Sequence, residues 1–167
     1  ARQPYGTVAA VLLAMDAVLV FSGPEGRRDI GLAEFYAAGR NAAGLLTHIE
    51  CPRPEGRLVF VKCARQRFAG PTVISVALHI AVDGDGKVAA ARIALGGASE
   101  YPMRAETAEH LLIGRPLEAS VIAAAAEAAV ADCAPADDPV ASAWYRRRMV
   151  GVYVGRALAQ AAKGEAA

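Results

Sequence analysis

Three basic residues that lie close together in the chain have the clearest potential for chemistry. Lys62, Arg65 and Arg67 belong to the segment KCARQR, on or just after a predicted strand that runs into the turn residues Gly70 and Pro71. Cations at such a strand exit can face an anionic or electron-rich ligand. An edge strand protected by positive charge explains the same pattern. The residues alone leave both interpretations open.

The residue types that usually build metal or nucleophilic sites are scattered along the chain. His48, His79 and His110 fall on a predicted strand, strand and helix, without a cysteine or acid at metal-ligand spacing, and no serine lies in a nucleophile elbow. The odd number of cysteines favours free thiols in a reducing compartment over a disulfide framework. The three cysteines are Cys51, Cys63 and Cys133. We therefore expect no metal site in this chain.

The chain has 16 glycines, but none of their clusters has the spacing of a phosphate-binding loop. The segments SGPEG, DGDG and GGAS each lack a dinucleotide fingerprint or a P-loop, together with the strand-to-helix context that either needs. The segment DGDGK also lacks the ligand set of a calcium loop. Since Asp-Gly tolerates the positive φ of a tight turn, this segment predicts a hairpin.

Composition and charge exclude two classes of partner. Eighteen basic and 17 acidic residues leave a net charge of +1, so no overall field attracts nucleic acid or an anionic membrane. The apolar stretch TVAAVLLAMDAVLVF is too short for a membrane span and contains Asp16. We expect a soluble, cytoplasmic protein. The first residue, Ala1, suggests that a preceding segment was removed or is missing.

The N-terminal part of the chain has mixed patterns. Residues 7–15 predict a buried helix, a hairpin follows with its turn at 23–26, and GLAEFYAAGR predicts a short helix. The segment LLTHIECP predicts a strand that ends at Pro52. Pro54 and Gly56 then mark a boundary between an N-terminal lobe, 1–54, and a second domain, 55–167.

The second domain separates strands from helices. Three β-rich runs, RLVFVKCAR, PTVISVALHIAVD and KVAAARIALGG, are joined by short connections and predict a three-stranded antiparallel sheet. From Pro102 onward the pattern is helical and predicts a layer of three helices, the last capped by Asp138 or Ser142. The expected fold class is α+β.

The helical segments contain two charged groups with expected structural roles. Consecutive arginines on a helix point about 100° apart, so Arg146 to Arg148 in YRRRM cannot form one stripe. We expect one of them to point inward and bond a carboxylate or a helix C-terminus, with the other two solvated. Arg104 and Glu109 are expected to fix the start of a helix to the sheet.

Six segments, taken in order, resemble the FAD-binding (medium) subunit of the molybdenum hydroxylases, the family of aerobic carbon monoxide dehydrogenase and xanthine dehydrogenase. They cover nearly the whole chain: AAVLLAMDA, LLTHIECP, FVKCARQRFAGPTVISVA, ARIALGG, PMRAETAEHLLIG and SAWYRRRMVGVYVGRAL. The resemblance implies the end of an FAD-binding α/β lobe followed by the C-terminal domain of that flavoprotein.

The resemblance also implies an electron-transfer role and a set of cofactor-binding residues. Electrons would pass from a molybdopterin large subunit through two [2Fe-2S] clusters on an iron–sulphur small subunit to FAD, and then to an external acceptor. Leu46 matches an apolar residue near the isoalloxazine, Lys62 matches a lysine at the flavin, and Arg65 and Arg67 lie in the segment matching a loop beside the ring. A fixed ammonium there stabilises the reduced, anionic flavin.

Two departures limit the flavin site that this chain can provide. The family's two glycine-rich pyrophosphate-binding motifs, of the types AGG and TIGG, do not precede these segments, and Gly6 stands where the family often has an acid. We therefore expect the C-terminal portion of a longer flavoprotein, with a partial FAD site. The alternatives are a flavin-free module that holds partner subunits, and a standalone binding domain unrelated to redox chemistry.

Overall fold

A computed structural model describes residues 7–39, 44–53, 55–66 and 70–164 of the chain. Two antiparallel sheets lie one after the other along the sequence, and three of the five described helices follow them. The helices are α1 (Thr7–Ala14), α2 (Leu32–Ala37), α3 (Glu106–Leu112), α4 (Ala119–Ala131) and α5 (Ala143–Lys163). The strands are β1 (Val18–Gly23), β2 (Gly26–Gly31), β3 (Leu45–Glu50), β4 (Arg57–Ala64), β5 (Thr72–Val82), β6 (Val88–Gly96) and β7 (Met103–Arg104).

The strands form a first sheet of order β2-β1-β3 and a second sheet of order β4-β5-β6-β7, so β3 and β4 are both edge strands. The predicted turn at 23–26 joins β1 to β2, where Gly23 pairs with Gly26. The DGDGK hairpin joins β5 to β6, with the Asp83 amide donating to the Lys87 carbonyl at 2.8 Å. Both hairpins are confirmed.

The two faces of the second sheet bury different partners. One face packs against α3, α4 and α5 in a main core that includes Leu78, Ile93 and Leu158. The other face packs against α1 and the first sheet in a second core that includes Ala77 and Ala94. The small side chains of these two alanines let α1 approach the sheet closely. The second core therefore spans the boundary that the sequence predicted near residue 54.

The expected α+β class, with a sheet packed on a three-helix layer, is confirmed, but the second sheet has a fourth strand. Met103 and Arg104 pair with Leu95 and Ala94 of β6, where the sequence predicted helix from Pro102 onward. That prediction was wrong because the chain reverses after β6 and returns along its edge before α3 begins. Pro54, half of the predicted boundary, lies outside the described residues.

Arg146 is the inward arginine that the sequence predicted. Its side chain is 1% exposed, and Nη2 donates to both carboxylate oxygens of Asp138, at 2.9 and 2.8 Å. Nη1 donates to the carbonyl of Val73 and, at 3.4 Å, to that of Gly97. One guanidinium thus joins α5 to the start of β5, the end of β6 and the loop before α5.

The pKa of Asp138 lies below its usual range. Partial burial acts to raise this pKa, but hydrogen bonds from the Ala141 amide, the Arg146 guanidinium and the Val140 amide outweigh it. A carboxyl with a lowered folded-state pKa stabilises the fold above its unfolded pKa and loses that contribution as the pH falls through the folded value. The loop before α5 is therefore acid-sensitive. Ser142, the other predicted cap, accepts from the Tyr145 amide at 3.2 Å.

A second ion pair fixes α3 to the sheet, as the sequence predicted. Glu109 is 5% exposed, and its Oε1 accepts from the Ile93 amide at 2.8 Å and from Nε of Arg104 at 3.0 Å. Nη2 of Arg104 also donates to Glu109 Oε2. Since Ile93 lies on β6 and Arg104 on β7, the carboxylate holds the helix against both strands.

Gly97→Ala tests how tightly the Arg146 junction is built. Gly97 has φ +77°, and a Cβ there would lie 2.6 Å from the Val73 carbonyl oxygen and 2.9 Å from Arg146 Nη1. Gly114 is a matched control, with φ +74° and no atom within 4 Å of a Cβ. We expect Gly114→Ala to lower the free energy of unfolding by about 1 kcal/mol and Gly97→Ala by about 3 kcal/mol, measured by chemical denaturation. Equal losses would contradict this account.

Candidate functional site

Lys62 lies on β4, the edge strand of the second sheet, with its side chain exposed. It makes no hydrogen bond or ion pair with any residue that the structure describes. Because side chains alternate along a strand, Lys62 shares a sheet face with Phe60, which packs against the second core. The ammonium group is therefore free to meet a ligand at the rim of that core.

Ser75 lies directly opposite Lys62, on β5. Its side chain is fully buried, and its Oγ has no hydrogen-bond partner within the described part of the chain. Facing residues on antiparallel strands have Cβ atoms about 5 Å apart, so the two side chains leave the sheet on the same face as neighbours. A buried hydroxyl without a partner costs about 1–3 kcal/mol, which makes this serine a candidate for binding.

The sequence interpretation missed Ser75. One feature of the sequence could have identified Ser75: it is the only residue with a hydroxyl group in the apolar run VISVALHIAV of β5. A residue of this type in a central strand needs a partner or a function. It was overlooked because buried strand serines are also common in ordinary cores and no motif surrounds this one.

Leu46 lies on β3, opposite Phe21 of β1. The pairing shifts between Val20 and Phe21, and the Thr47 hydroxyl donates to the Val20 carbonyl at 2.9 Å across this bulge. The bulge turns Leu46 to the face of Phe21, which is buried in the same second core that Phe60 borders. Leu46 and Lys62 therefore lie on the two sheet faces that pack around the second core.

Strand β3 is exposed along its whole length, although three of its six residues are apolar. Leu45 is 72% exposed, Leu46 44% and Ile49 39%. Its outer edge has no strand neighbour among the described residues. An exposed apolar edge of this kind is a site where further chain can attach.

Arg65 does not join Lys62 in the described structure. Nη1 of Arg65 donates to the carbonyl of Pro139 at 3.2 Å, in the loop before α5. There it lines a cavity of about 400 Å³ together with Asp138 and Tyr145. Arg67 lies outside the described residues, so its predicted cofactor contact remains a prediction.

The histidines have surface or structural positions. His48 Nε2 lies 3.3 Å from Glu50 on an exposed strand, and His110 is exposed on α3. His79 is 4% exposed and its Nε2 lies 2.7 Å from the Glu55 carbonyl oxygen. Among the described residues, no group of histidines, cysteines and acids could hold a metal ion.

The three cysteines are free, as the sequence predicted. Cys63 and Cys133 are buried, and Cys51 is exposed. Burial is the main cause that raises the pKa of Cys133, to about 12, with a further contribution from Asp132. A thiol with so high a pKa is inert at neutral pH, because the thiolate is the reactive form.

A second cleft lies at the opposite edge of the second sheet, near β7. It has a volume of about 310 Å³ and includes Leu13, Met103 and Arg104 in its lining. Tyr36 and Tyr101 stack across it with ring centroids 6.0 Å apart. The cleft links α2 to the β6–β7 connection and contains none of the predicted site residues.

No helix in the described ranges is both long and apolar enough to cross a membrane.

Comparison with known proteins places these elements in a family. The family model described as "CO dehydrogenase flavoprotein C-terminal domain" matches residues 60–161. The chain is 28% identical over 164 residues to the glyceraldehyde dehydrogenase medium chain of Sulfolobus acidocaldarius, covering 96% of this chain and 58% of that protein. It is 31% identical over 156 residues to the 6-hydroxypseudooxynicotine dehydrogenase complex subunit alpha of Paenarthrobacter nicotinovorans, covering 90% of this chain and 53% of that protein.

Solved structures agree with these relatives. A carbon monoxide dehydrogenase from Hydrogenophaga pseudoflava that lacks the Mo-pyranopterin moiety of its molybdenum cofactor superposes with a TM-score of 0.83 at 28% identity. The superposition covers 99% of this chain and 59% of that chain. The chain thus spans between one half and three fifths of the length of these relatives. It belongs to the CO dehydrogenase flavoprotein C-terminal domain family, the match running from within β4 to near the end of α5.

Proposed function

We propose that this chain is the C-terminal part of the FAD-binding medium subunit of a molybdenum hydroxylase and forms one wall of its flavin site. The observation that carries the proposal is the exposed, unpaired Lys62 side chain at the rim of the second core, on the strand next to the buried, unpartnered hydroxyl of Ser75. Both residues lie within the segment that matches the flavoprotein family. Family membership also argues against a standalone domain unrelated to redox chemistry.

The residues fit one portion of FAD and not the other. An ammonium and a hydroxyl at the rim of an apolar core suit the polar edge of an isoalloxazine ring, and Leu46 suits its apolar face. The chain's sequence contains no glycine-rich loop that could hold the pyrophosphate. The site proposed here is therefore partial, and a preceding segment would supply the phosphate-binding half.

The chain's own residues would tune and shield the flavin, which when bound supplies the transfer of electrons. Lys62 would place a fixed positive charge beside the ring and favour its anionic, reduced form. The Ser75 hydroxyl is closed to solvent in this structure, so it would bond the ring only after the side chains above it shift. Leu46 would limit the access of solvent to one side of the ring. Arg67 would border the site through the loop between β4 and β5, whereas Arg65 is bonded to the Pro139 carbonyl and would reach the ring only by leaving that partner.

The exposed edge of β3 supports the proposal that more of the same subunit precedes this chain. Leu45, Leu46 and Ile49 would be covered when that segment packs beside β3. The proposed division into 1–54, the end of the FAD-binding lobe, and 55–167, the C-terminal domain, then describes evolutionary units. It does not describe independent folding units, because Phe21 and Ala77 share one core.

The remaining parts of the electron path would lie on partner subunits. A molybdopterin large subunit would carry the substrate chemistry, and an iron–sulphur small subunit with [2Fe-2S] clusters would pass electrons to FAD. The flavin would then reduce an external acceptor. Three free cysteines favour a reducing compartment such as the cytoplasm for this assembly.

The lack of pyrophosphate-binding motifs in this sequence favours one other candidate, a flavin-free module that holds partner subunits together. The flavin-site proposal predicts that the full-length subunit contains FAD, whereas the flavin-free module would contain none. Both candidates predict assembly with partner subunits. The variants below distinguish them.

Lys62→Ala in the full-length subunit should lower the flavin reduction potential by about 30 mV or more. In the wild-type subunit the positive charge of Lys62 stabilises the reduced flavin, and the variant loses this effect. A change of 30 mV corresponds to about 1.4 kcal/mol for two electrons. Thermal stability should change little, since the Lys62 side chain is exposed and unpaired. Lys87→Ala, which removes an exposed lysine from the β5–β6 hairpin, is the matched control and should leave the potential unchanged. An unaltered potential and flavin occupancy in the Lys62 variant would remove this residue from the site.

Ser75→Ala should have opposite effects on the chain and on the holoprotein. Without flavin, removing a buried hydroxyl that has no partner should raise the free energy of unfolding by about 1 kcal/mol, measured in denaturant. In the full-length flavoprotein it should weaken FAD binding, measured by fluorescence titration. A variant that is destabilised without flavin, yet binds FAD normally, would show that Ser75 is only a core residue.

A further inference from the structure

The outward face of α5 presents a row of large side chains that the fold does not use. Successive members are four residues apart, so they are neighbours along one side of the helix. Trp144 is 69% exposed and Val152 39% exposed, and Arg148 between them and Arg156 one turn further on are also exposed. The α5 surface is defined by Trp144, Arg148, Val152 and Arg156.

The α5 surface contains two arginines and no acidic residue. Helix α5 contains four arginines and one lysine but no acidic residue. Asp138 neutralises only Arg146, which points inward. Arg147, Arg148 and Arg156 form no salt bridge with any described residue. On the α5 surface, Arg148 and Arg156 therefore have no salt-bridge partner among the described residues, whereas Arg147 points elsewhere on the helix, toward the Cys133 carbonyl.

Aromatic rings hold two of the arginines in place. The Arg148 guanidinium lies 5.8 Å from the centroid of the Trp144 ring, and that of Arg156 lies 4.8 Å from the Tyr153 ring. Stacked guanidinium groups lose less side-chain freedom when they bind, so the surface is organised in advance. Tryptophan, tyrosine and arginine are also the residue types that dominate the binding energy of protein interfaces.

The α5 surface lies away from the candidate flavin site. Val150, Val154 and Leu158 of the same helix are buried in the main core, against the second sheet. Lys62 and Phe60 occupy the opposite face of that sheet. A partner on the outer side of α5 would therefore be separated from Lys62 by the helical layer and the sheet.

We propose that the α5 surface docks an acidic surface of another protein subunit of the same dehydrogenase complex. This inference rests on the proposed function, which requires partner subunits. Charge complementarity defines the partner: carboxylates would pair with Arg148 and Arg156 around a central Trp144. A protein surface fits better than nucleic acid, because the arginines alternate with an apolar side chain and the rest of the molecule adds no positive field.

The test uses the full-length subunit co-expressed with the other subunits of its complex. In Trp144→Ala and in the double variant Arg148→Glu, Arg156→Glu, the dissociation constant for assembly, measured by sedimentation, should rise at least about 30-fold, the threshold for an interface hot spot. Arg115→Glu is the matched control, since Arg115 is exposed in the loop between α3 and α4. This control should assemble normally.

Three results would overturn the proposal. They are assembly of the α5 variants at the wild-type affinity, loss of a self-associated dimer as the only effect, and loss of binding to single-stranded DNA or to vesicles containing phosphatidylserine as the only effect. Flavin absorbance of each purified subunit is measured in parallel. Normal flavin with normal assembly refutes the α5 surface alone, whereas absence of flavin from the wild-type subunit refutes the proposed function.

Discussion

The buried guanidinium of Arg146 is the contact on which the rest of the C-terminal fold depends. A buried charge is stable only when it is paired and hydrogen-bonded, and here Asp138 and the carbonyls of Val73 and Gly97 provide those partners. Glycine is required at position 97 for the same reason, because a side chain there would occupy the space of the guanidinium. One residue of α5 thereby sets how the helical layer lies on the second sheet.

One face of the second sheet packs against α3, α4 and α5. The other face packs against α1 and carries the candidate site at its rim. The rim of this face holds Lys62, Ser75 and, from the neighbouring sheet, Leu46. The same separation places the exposed arginines of α5 on the far side of the molecule. The proposed electron-transfer site lies on the second sheet and the proposed docking surface lies on the outer side of α5, so a flavin and a partner subunit would bind at different places.

Much of this arrangement could be predicted from the sequence, where local patterns determine structure. The hairpins, the three-helix layer, the inward Arg146 and the Arg104–Glu109 pair all follow from turn residues, periodicity and the cost of burying charge. The two-residue strand β7 could not be predicted, because its pairing depends on the reversal after β6 and not on its own residues. Ser75 was missed because a serine within an apolar strand carries no sequence signal that shows whether its hydroxyl will find a partner in the fold.

The most direct test of the account is the visible absorption spectrum, with the intact mass, of the protein purified from its natural source. The account predicts flavin absorption on a polypeptide longer than 167 residues, together with iron–sulphur absorption from subunits that co-purify. A colourless 17.3 kDa protein would contradict the central claim. The Lys62 and Ser75 pair would then have to serve some ligand other than a flavin.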